Sequence, residues 1–230
     1  MTLPRKVLLA VAVLALLLGG AVVILPPLLF SDGVDYSKAV SIKTAPEYQD
    51  AALLAKAWAL PVAQLYKPGL DFQSNGSFCG PTSVVNVLRS LGTKAEQATV
   101  LEGTGTETYF GMLFGGVTLD QLGAIAGKKL GKKVTVLHDL DLAGFRAQLA
   151  RANDPATRLI LNFYRGPLFG TGGGHHSPIA GYLAAEDLVL VLDVNAKYQP
   201  WLVKSERLYE AMNTVDKGAG KKRGLIVIEP

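Results

Sequence analysis

The stretch from Gln73 to Val85 reads QSNGSFCGPTSVV and contains Cys79, the only cysteine in the 230-residue chain. Gly80 and Pro81 follow it, and then Val84, Val85, Leu88 and Leu91 recur at helical spacing as far as Gly92. Apolar residues three and four apart line one face of a helix, proline belongs in the first turn, and glycine is a common stop. The cysteine is therefore expected at or just before a helix N-terminus. There the unpaired amides and the positive end of the helix dipole favour thiolate over thiol. A lone cysteine can equally serve as a small buried hydrophobe. Its partners separate the two readings.

A cysteine nucleophile needs a general base beside the sulfur and an acid group to orient that base. Residues 170–195, GTGGGHHSPIAGYLAAEDLVLVLDVN, supply both on one expected hairpin. His175 or His176 opens the first strand, the turn falls around Ala184 to Asp187, and Asp193 ends the second strand. Antiparallel pairing sets the start of one strand beside the end of the other, so an imidazole and a carboxylate meet across the ladder. Neighbouring strand residues face opposite sides, so only one of the two histidines can turn toward Asp193, and the pattern leaves open which one. Gln73, six residues before the sulfur, offers an amide that could donate to an oxyanion together with the Cys79 backbone N–H.

Composition narrows the classes of function. The net charge of +4 comes from scattered lysines and arginines apart from Arg5-Lys6 and Lys221-Lys222-Arg223. No basic stripe is interleaved with aromatics, so nucleic acid is not an expected partner. One cysteine cannot close an intramolecular disulfide, and His138, His175 and His176 do not complete a Cys-rich zinc site, so no dedicated metal site is expected. Gly170–Gly174 lacks the Lys-Ser/Thr of a phosphate loop, and GAIAGKK at Gly123 has the wrong spacing for one.

The N-terminus carries an almost uncharged run, Val7 to Phe30, after Arg5 and Lys6. At roughly 1.5 Å per residue it is long enough to span a hydrocarbon core of about 30 Å. No clear small-x-small cleavage site precedes Ser31, which favours a signal anchor over a removed signal peptide. The positive-inside rule then puts the remaining chain on the periplasmic side, either tethered to the inner membrane or released there after cleavage. Residues 1–30 are read as this anchor or signal, 31–44 as a linker, and 45–230 as one catalytic domain.

Within that domain, helices are expected over Ala45 to Trp58 with Pro61 closing the segment, over Asp120 to Ala126, and over Leu140 to Ala150. Strands are expected over Lys133 to Leu137, Arg158 to Phe163, Ser177 to Leu183, Leu188 to Val194 and Leu225 to Ile228. Helices early and strands late suggest an α+β domain with its helices on one side of an antiparallel sheet.

Four ordered segments, QSNGSFCGPTSVVNVLRSLG, GGGHHSPIAGY, LVLVLDVNAKYQPW and RLYEAMNTVDKGAGKKRGLIVI, resemble motifs of the phytochelatin synthase family. These are glutathione γ-glutamylcysteinyltransferases of the papain-like cysteine protease clan. The resemblance covers about Ala52 to Ile228. It implies a papain-like fold with Cys79 as nucleophile, His175 as base within the Gly-His-x-Ser-Pro pattern, Asp193 as orienting acid and Gln73 at the oxyanion. Asp216 and Arg223 match the family positions that would hold the amino and carboxylate ends of a γ-glutamyl group, while His176 is read as a neighbour of the base.

Glutathione is the implied substrate. No built-in cofactor is implied, cadmium or zinc enters only as a thiolate complex of the substrate, and a homodimer is compatible with the reading. Family members from plants continue into a cysteine-rich extension, and the family usually has a longer segment containing an arginine before the Lys-Tyr where this chain has VNAKYQPW. Hydrolysis of glutathione is therefore expected to exceed transfer. Two rival readings are a papain-like peptidase of the bacteriocin-leader-processing type and an inactive membrane-anchored thiol-peptide binder.

Overall fold

A computed structural model describes residues 34–229, so the apolar N-terminal run and its anchor reading lie outside the described residues. Among the described residues, no helix is long and apolar enough to cross a membrane. Helices α1 (Ala51–Trp58), α2 (Pro61–Tyr66), α3 (Cys79–Ser90) and α4 (Leu119–Leu130) come first. Then follow β1 (Lys133–His138), α5 (Leu142–Arg151), β2 (Arg158–Tyr164), α6 (Arg165–Phe169), β3 (Gly174–Leu183) and β4 (Leu188–Val191). The chain closes with β5 (Trp201–Lys204), α7 (Ser205–Met212), a small ribbon of β6 (Val215–Asp216) and β7 (Lys221–Lys222), and β8 (Gly224–Glu229).

Six strands form one sheet in the order β1-β8-β2-β3-β4-β5, with every neighbouring pair antiparallel. The β2 sequence RLILNFY is buried along its whole length. A strand without polar alternation needs cover on both faces. Ile160, Ala180 and Leu190 pack on one side with Val84, Val85 and Leu88 of α3 and Leu122 and Ile125 of α4. Leu159, Leu161, Phe163 and Ile179 pack on the other with Phe145 and Leu149 of α5 and Leu208, Ala211 and Met212 of α7. The α+β class and the antiparallel sheet match the sequence reading, but the helices cover both faces rather than one. Each fully buried aliphatic side chain contributes about 1.5–3 kcal/mol, and these two layers stabilise a chain that has no cross-link.

Two start signals differ from expectation. Helix α1 begins at Ala51, not Ala45, because the Asp50 side chain accepts from the Leu53 N–H at 2.8 Å. Pro61 opens α2 at its first position instead of only closing α1, consistent with a residue that lacks an N–H. The segment read as a linker is partly packed: Ile42 is buried, the Tyr36 ring lies 5.6 Å from that of Tyr164, and Arg207 donates to the Val40 carbonyl.

Helix α3 is the central element. All its residues except Arg89 are buried, so its first residue, Cys79, is held against the sheet. The preceding loop is pinned in three places. Asn86 of α3 exchanges hydrogen bonds with the backbone of Asp71, Gln97 bonds Phe72, Ser74 and Thr82, and the Gln73 N–H donates to the Val194 carbonyl at 2.7 Å. That last bond ties the residue before the cysteine loop to the residue after Asp193.

Candidate active site

The Cys79 sulfur sits at the first position of α3, where a helix leaves its N-terminal amides without intrahelical partners. Opposite it, β3 begins with Gly174, His175 and His176. In the β2–β3 ladder Phe163 faces His175 and Asn162 faces His176, so the two imidazoles emerge on different sides. His175 turns to the carboxylate, its Nε2 lying 3.0 Å from Asp193 Oδ1. His176 turns to the sulfur, with Nδ1 at 3.9 Å from Cys79 Sγ. The structure thus answers which histidine meets Asp193.

Asp193 has no solvent exposure and is gripped on both oxygens. Arg165 Nη2 donates to Oδ1 and Oδ2, each at 2.8 Å, the Trp201 indole donates to Oδ2 at 3.1 Å, and the Asn195 N–H donates to Oδ1 at 2.9 Å. Burial alone would raise its pKa, but the charges and hydrogen bonds of His175 and Arg165 win and hold it well below the usual carboxylate range. The Arg165 guanidinium is itself seated over the Tyr198 ring at 3.8 Å.

The same competition sets the other two groups. Burial pushes the Cys79 thiol up, yet the charge of His175, followed by hydrogen bonds from His175 and His176, brings it well below its ordinary value. For His175, burial and the nearby Arg165 lower the pKa, while Asp193 and Cys79 together raise it above that of a free imidazole. Both shifts favour a thiolate–imidazolium pair, a nucleophile with a proton donor beside it.

A cleft of about 260 Å³ opens onto the sulfur, and its wall includes Cys79, Asn162, Gly174, His176, Asp216 and Arg223. Asp216 lies on the β6–β7 ribbon, where its Oδ1 accepts from the Gly218 N–H. Arg223 is buried over the Tyr164 ring, and its Nη1 donates to Thr214 Oγ1 and the Val215 carbonyl. Two glycines make this packing possible. A Cβ on Gly174 would come within 3.1 Å of Arg223 Nη2, and one on Gly224 within 1.9 Å of the Leu137 carbonyl oxygen.

The structure therefore joins Cys79, His175 and Asp193 and sets Asp216 and Arg223 on the wall of the cleft that exposes the sulfur. Gln73 lies in the pinned loop with its Nε2 donating to the Asn75 carbonyl and its Oε1 buried without a partner. The sequence reading missed Asn162, Arg165 and Trp201. Asn162 carried one legible signal, as the one amide within the otherwise apolar core LILNF of β2. Among the described residues, no group of three His, Cys, Asp or Glu side chains is placed to hold a metal ion.

These charges predict how activity depends on pH. Below the Cys79 pKa the sulfur carries a proton, and above the His175 pKa the imidazolium loses the one it would donate. Activity is expected to be bell-shaped, with its acid limb well below a free thiol's value of about 8.5 and its basic limb above a free imidazole's value of about 6.5. Asp193 stays ionised throughout and adds no limb. Measuring kcat/KM against pH tests this; an acid limb near 8.5 would show that the pair does not form.

A cysteine at a helix start facing a histidine and aspartate on an antiparallel sheet defines the papain-like class of cysteine peptidase folds. A solved C39-like peptidase from Bacillus anthracis has the same fold, with a TM-score of 0.51 and 15% identity over 72% of this chain and 96% of that one. The chain belongs to the phytochelatin synthase family, whose profile matches residues 48–225. It is 32% identical over 175 residues to Glutathione gamma-glutamylcysteinyltransferase 1 of Lotus japonicus, covering 68% of this chain and 33% of that protein. It is 43% identical over 96 residues to the Triticum aestivum protein of that name, covering 41% and 18% of the two chains. A Glutathione gamma-glutamylcysteinyltransferase of Schizosaccharomyces pombe is 30% identical over 118 residues, covering 50% and 28%. The matched segments span only 15% to 33% of the length of these and the other curated relatives.

Proposed function

We infer that the protein is a thiol acyltransferase that opens the Cys-Gly bond of glutathione. The observation that carries this reading is that the cleft exposing Cys79 also holds Asp216 and Arg223, an acid and a base suited to the α-amino and α-carboxylate ends of a γ-glutamyl group. A peptidase that selects Gly-Gly leaders has no need of such a pair.

The Cys79 thiolate attacks the cysteinyl carbonyl, forming a C–S bond and a tetrahedral oxyanion. The Cys79 backbone N–H and the Gln73 amide are assigned to that oxyanion, which requires Gln73 Nε2 to direct a hydrogen toward it while keeping Asn75. The C–N bond then breaks as His175 gives its proton to the departing glycine amine. A γ-glutamylcysteinyl thioester remains. Water attacks it with His175 taking the proton, which releases γ-glutamylcysteine and returns the thiolate; a second glutathione in place of water yields a phytochelatin.

Water is the favoured acceptor in this reading. Glutathione is an anion at neutral pH, and Arg223, assigned to the donor, is the one lysine or arginine among the described residues lining the cleft. Lys197 is exposed, and Tyr198 lies under the Arg165 guanidinium with its ring tilted against that of Phe169. Cadmium or zinc acts as a thiolate complex of the acceptor and raises the minor transfer product. The N-terminal apolar run would hold this activity at the inner membrane on its periplasmic side, a proposal that rests on the sequence.

Incubation with glutathione and, separately, with a Gly-Gly leader peptide, followed by mass spectrometry with and without cadmium, tests the reading. Glycine and γ-glutamylcysteine from glutathione, with little oligomer, are expected. Cleavage of the leader alone would assign the site to leader processing, and mainly oligomeric peptides in both metal conditions would overturn the preference for water.

Arg223→Lys gives a narrower test, since an ammonium keeps the charge but loses the planar two-pronged contact. The KM for glutathione is expected to rise about tenfold, the equivalent of about 1.4 kcal/mol. Unchanged kinetics would remove Arg223 from substrate recognition.

A further inference from the structure

The Cys79 sulfur faces two imidazoles, and the reaction uses only one of them. His176 is 2% exposed, and its Nδ1 lies 3.9 Å from Sγ. Its other nitrogen, Nε2, lies 2.7 Å from Asn162 Nδ2. An amide nitrogen can only donate, so Nε2 accepts and the ring proton of the neutral imidazole resides on Nδ1, facing the sulfur. Asn162 is 1% exposed, directly opposite His176 in the ladder, and its Oδ1 has no partner. A partly unsatisfied amide costs a core stability. Here its nitrogen fixes the tautomer of the ring that touches Cys79.

We propose that His176 is a second catalytic histidine, whose Nδ1–H, oriented by Asn162, donates to the Cys79 thiolate. This rests on the reading of Cys79 as the nucleophile. The two rings divide the work. His175, charged by Asp193, transfers protons to and from the leaving group and water, whereas His176 keeps its proton and stabilises sulfur's negative charge before attack and again when the thioester collapses. The hydrogen bond from His176 accordingly contributes to holding the thiol low.

Other charged groups surround the sulfur. His175 neighbours His176 on β3, Asp193 lies just beyond β4 and acts through His175, Arg165 opens α6 against Asp193, and Asp216 and Arg223 stand across the cleft. Substitutions at His176 and Asn162 leave all of these in place. The asparagine side-chain nitrogen occupies nearly the position of an imidazole Nδ1, so His176→Asn preserves the donor while removing the ring.

The test is the pH dependence of iodoacetamide alkylation of Cys79 in the full chain, which reads the thiolate whatever the natural substrate is. In His176→Phe the inflection is expected to move up by about one pH unit, leaving the rate on the acid side of both inflections about tenfold slower. His176→Asn is expected to restore the wild-type inflection, and Asn162→Ala, which keeps both imidazoles, to shift it in the same direction by less. An unchanged inflection in His176→Phe would overturn the proposal. If circular dichroism shows that variant to be unfolded, an unchanged inflection in Asn162→Ala would do the same. Failure of the glutathione assay with these shifts present would instead count against the substrate reading alone.

Discussion

Replacing Cys79 by serine is expected to lower glutathione turnover by roughly a thousandfold or more, with the folded structure retained. The cost follows from the pairing of the groups. Removing one member of a triad that acts as a unit forfeits most of the catalysis the whole unit supplies. Serine fits the space of the sulfur at the start of α3, but a hydroxyl is not ionised by His175 and His176 as the thiol is. Turnover assays paired with circular dichroism check this. Activity within tenfold of wild type would return Cys79 to the role of a small hydrophobe.

Arg165→Met carries the largest expected effect on stability. It keeps much of the length of a side chain seated over Tyr198 while removing the guanidinium that donates to both oxygens of a fully buried Asp193. Breaking a buried ion pair from one side costs about 3–5 kcal/mol because the remaining charge has lost its compensation. At about 2–4 °C per kcal/mol for a domain of this size, the melting temperature should fall by roughly 6–20 °C. The sign with pH is fixed by Asp193. Its folded pKa is depressed, so its stabilisation is present above the unfolded value of about 3.9 and is lost as pH falls through the folded pKa. The deficit of the variant should therefore be full at neutral pH and shrink below about pH 4. Loss of Arg165 also removes a group that lowers the His175 pKa, so the basic limb of activity should move upward. A melting temperature unchanged at pH 7 would show that Asp193 does not need the arginine.

How much of this was legible in the chain differs from residue to residue. Cys79 at a helix start could be read because Pro81 and the spacing of Val84, Val85 and Leu88 are local signals. The meeting of His175 with Asp193 could be read because the hairpin between them is short, its turn lying at residues 184–187 as expected. Asn162, Arg165 and Trp201 could not be assigned in the same way. Each reaches the site through the fold of the sheet, and no local pattern distinguishes an arginine after a strand that will be buried from one that will be solvated. Strand β5 and helix α7 were missed because WLVK is short, follows Pro200 and passes directly into the helix. The second covered face was hinted at by the unbroken apolar run of β2, a feature that outweighs the early-helix, late-strand order. His176 was read as a bystander because strand alternation turns it away from Asp193. The same alternation aims it at the sulfur.

The central claim is that Cys79 carries a γ-glutamylcysteinyl group during turnover. Rapid mixing with glutathione, acid quenching and peptide mass mapping tests it most directly. The account predicts an adduct on Cys79 equal in mass to glutathione less glycine, stable to thiol-free acid, together with a burst of glycine equivalent to the enzyme present. An unmodified Cys79 during steady turnover, or an adduct retaining the whole tripeptide and released by a reductant, would contradict it.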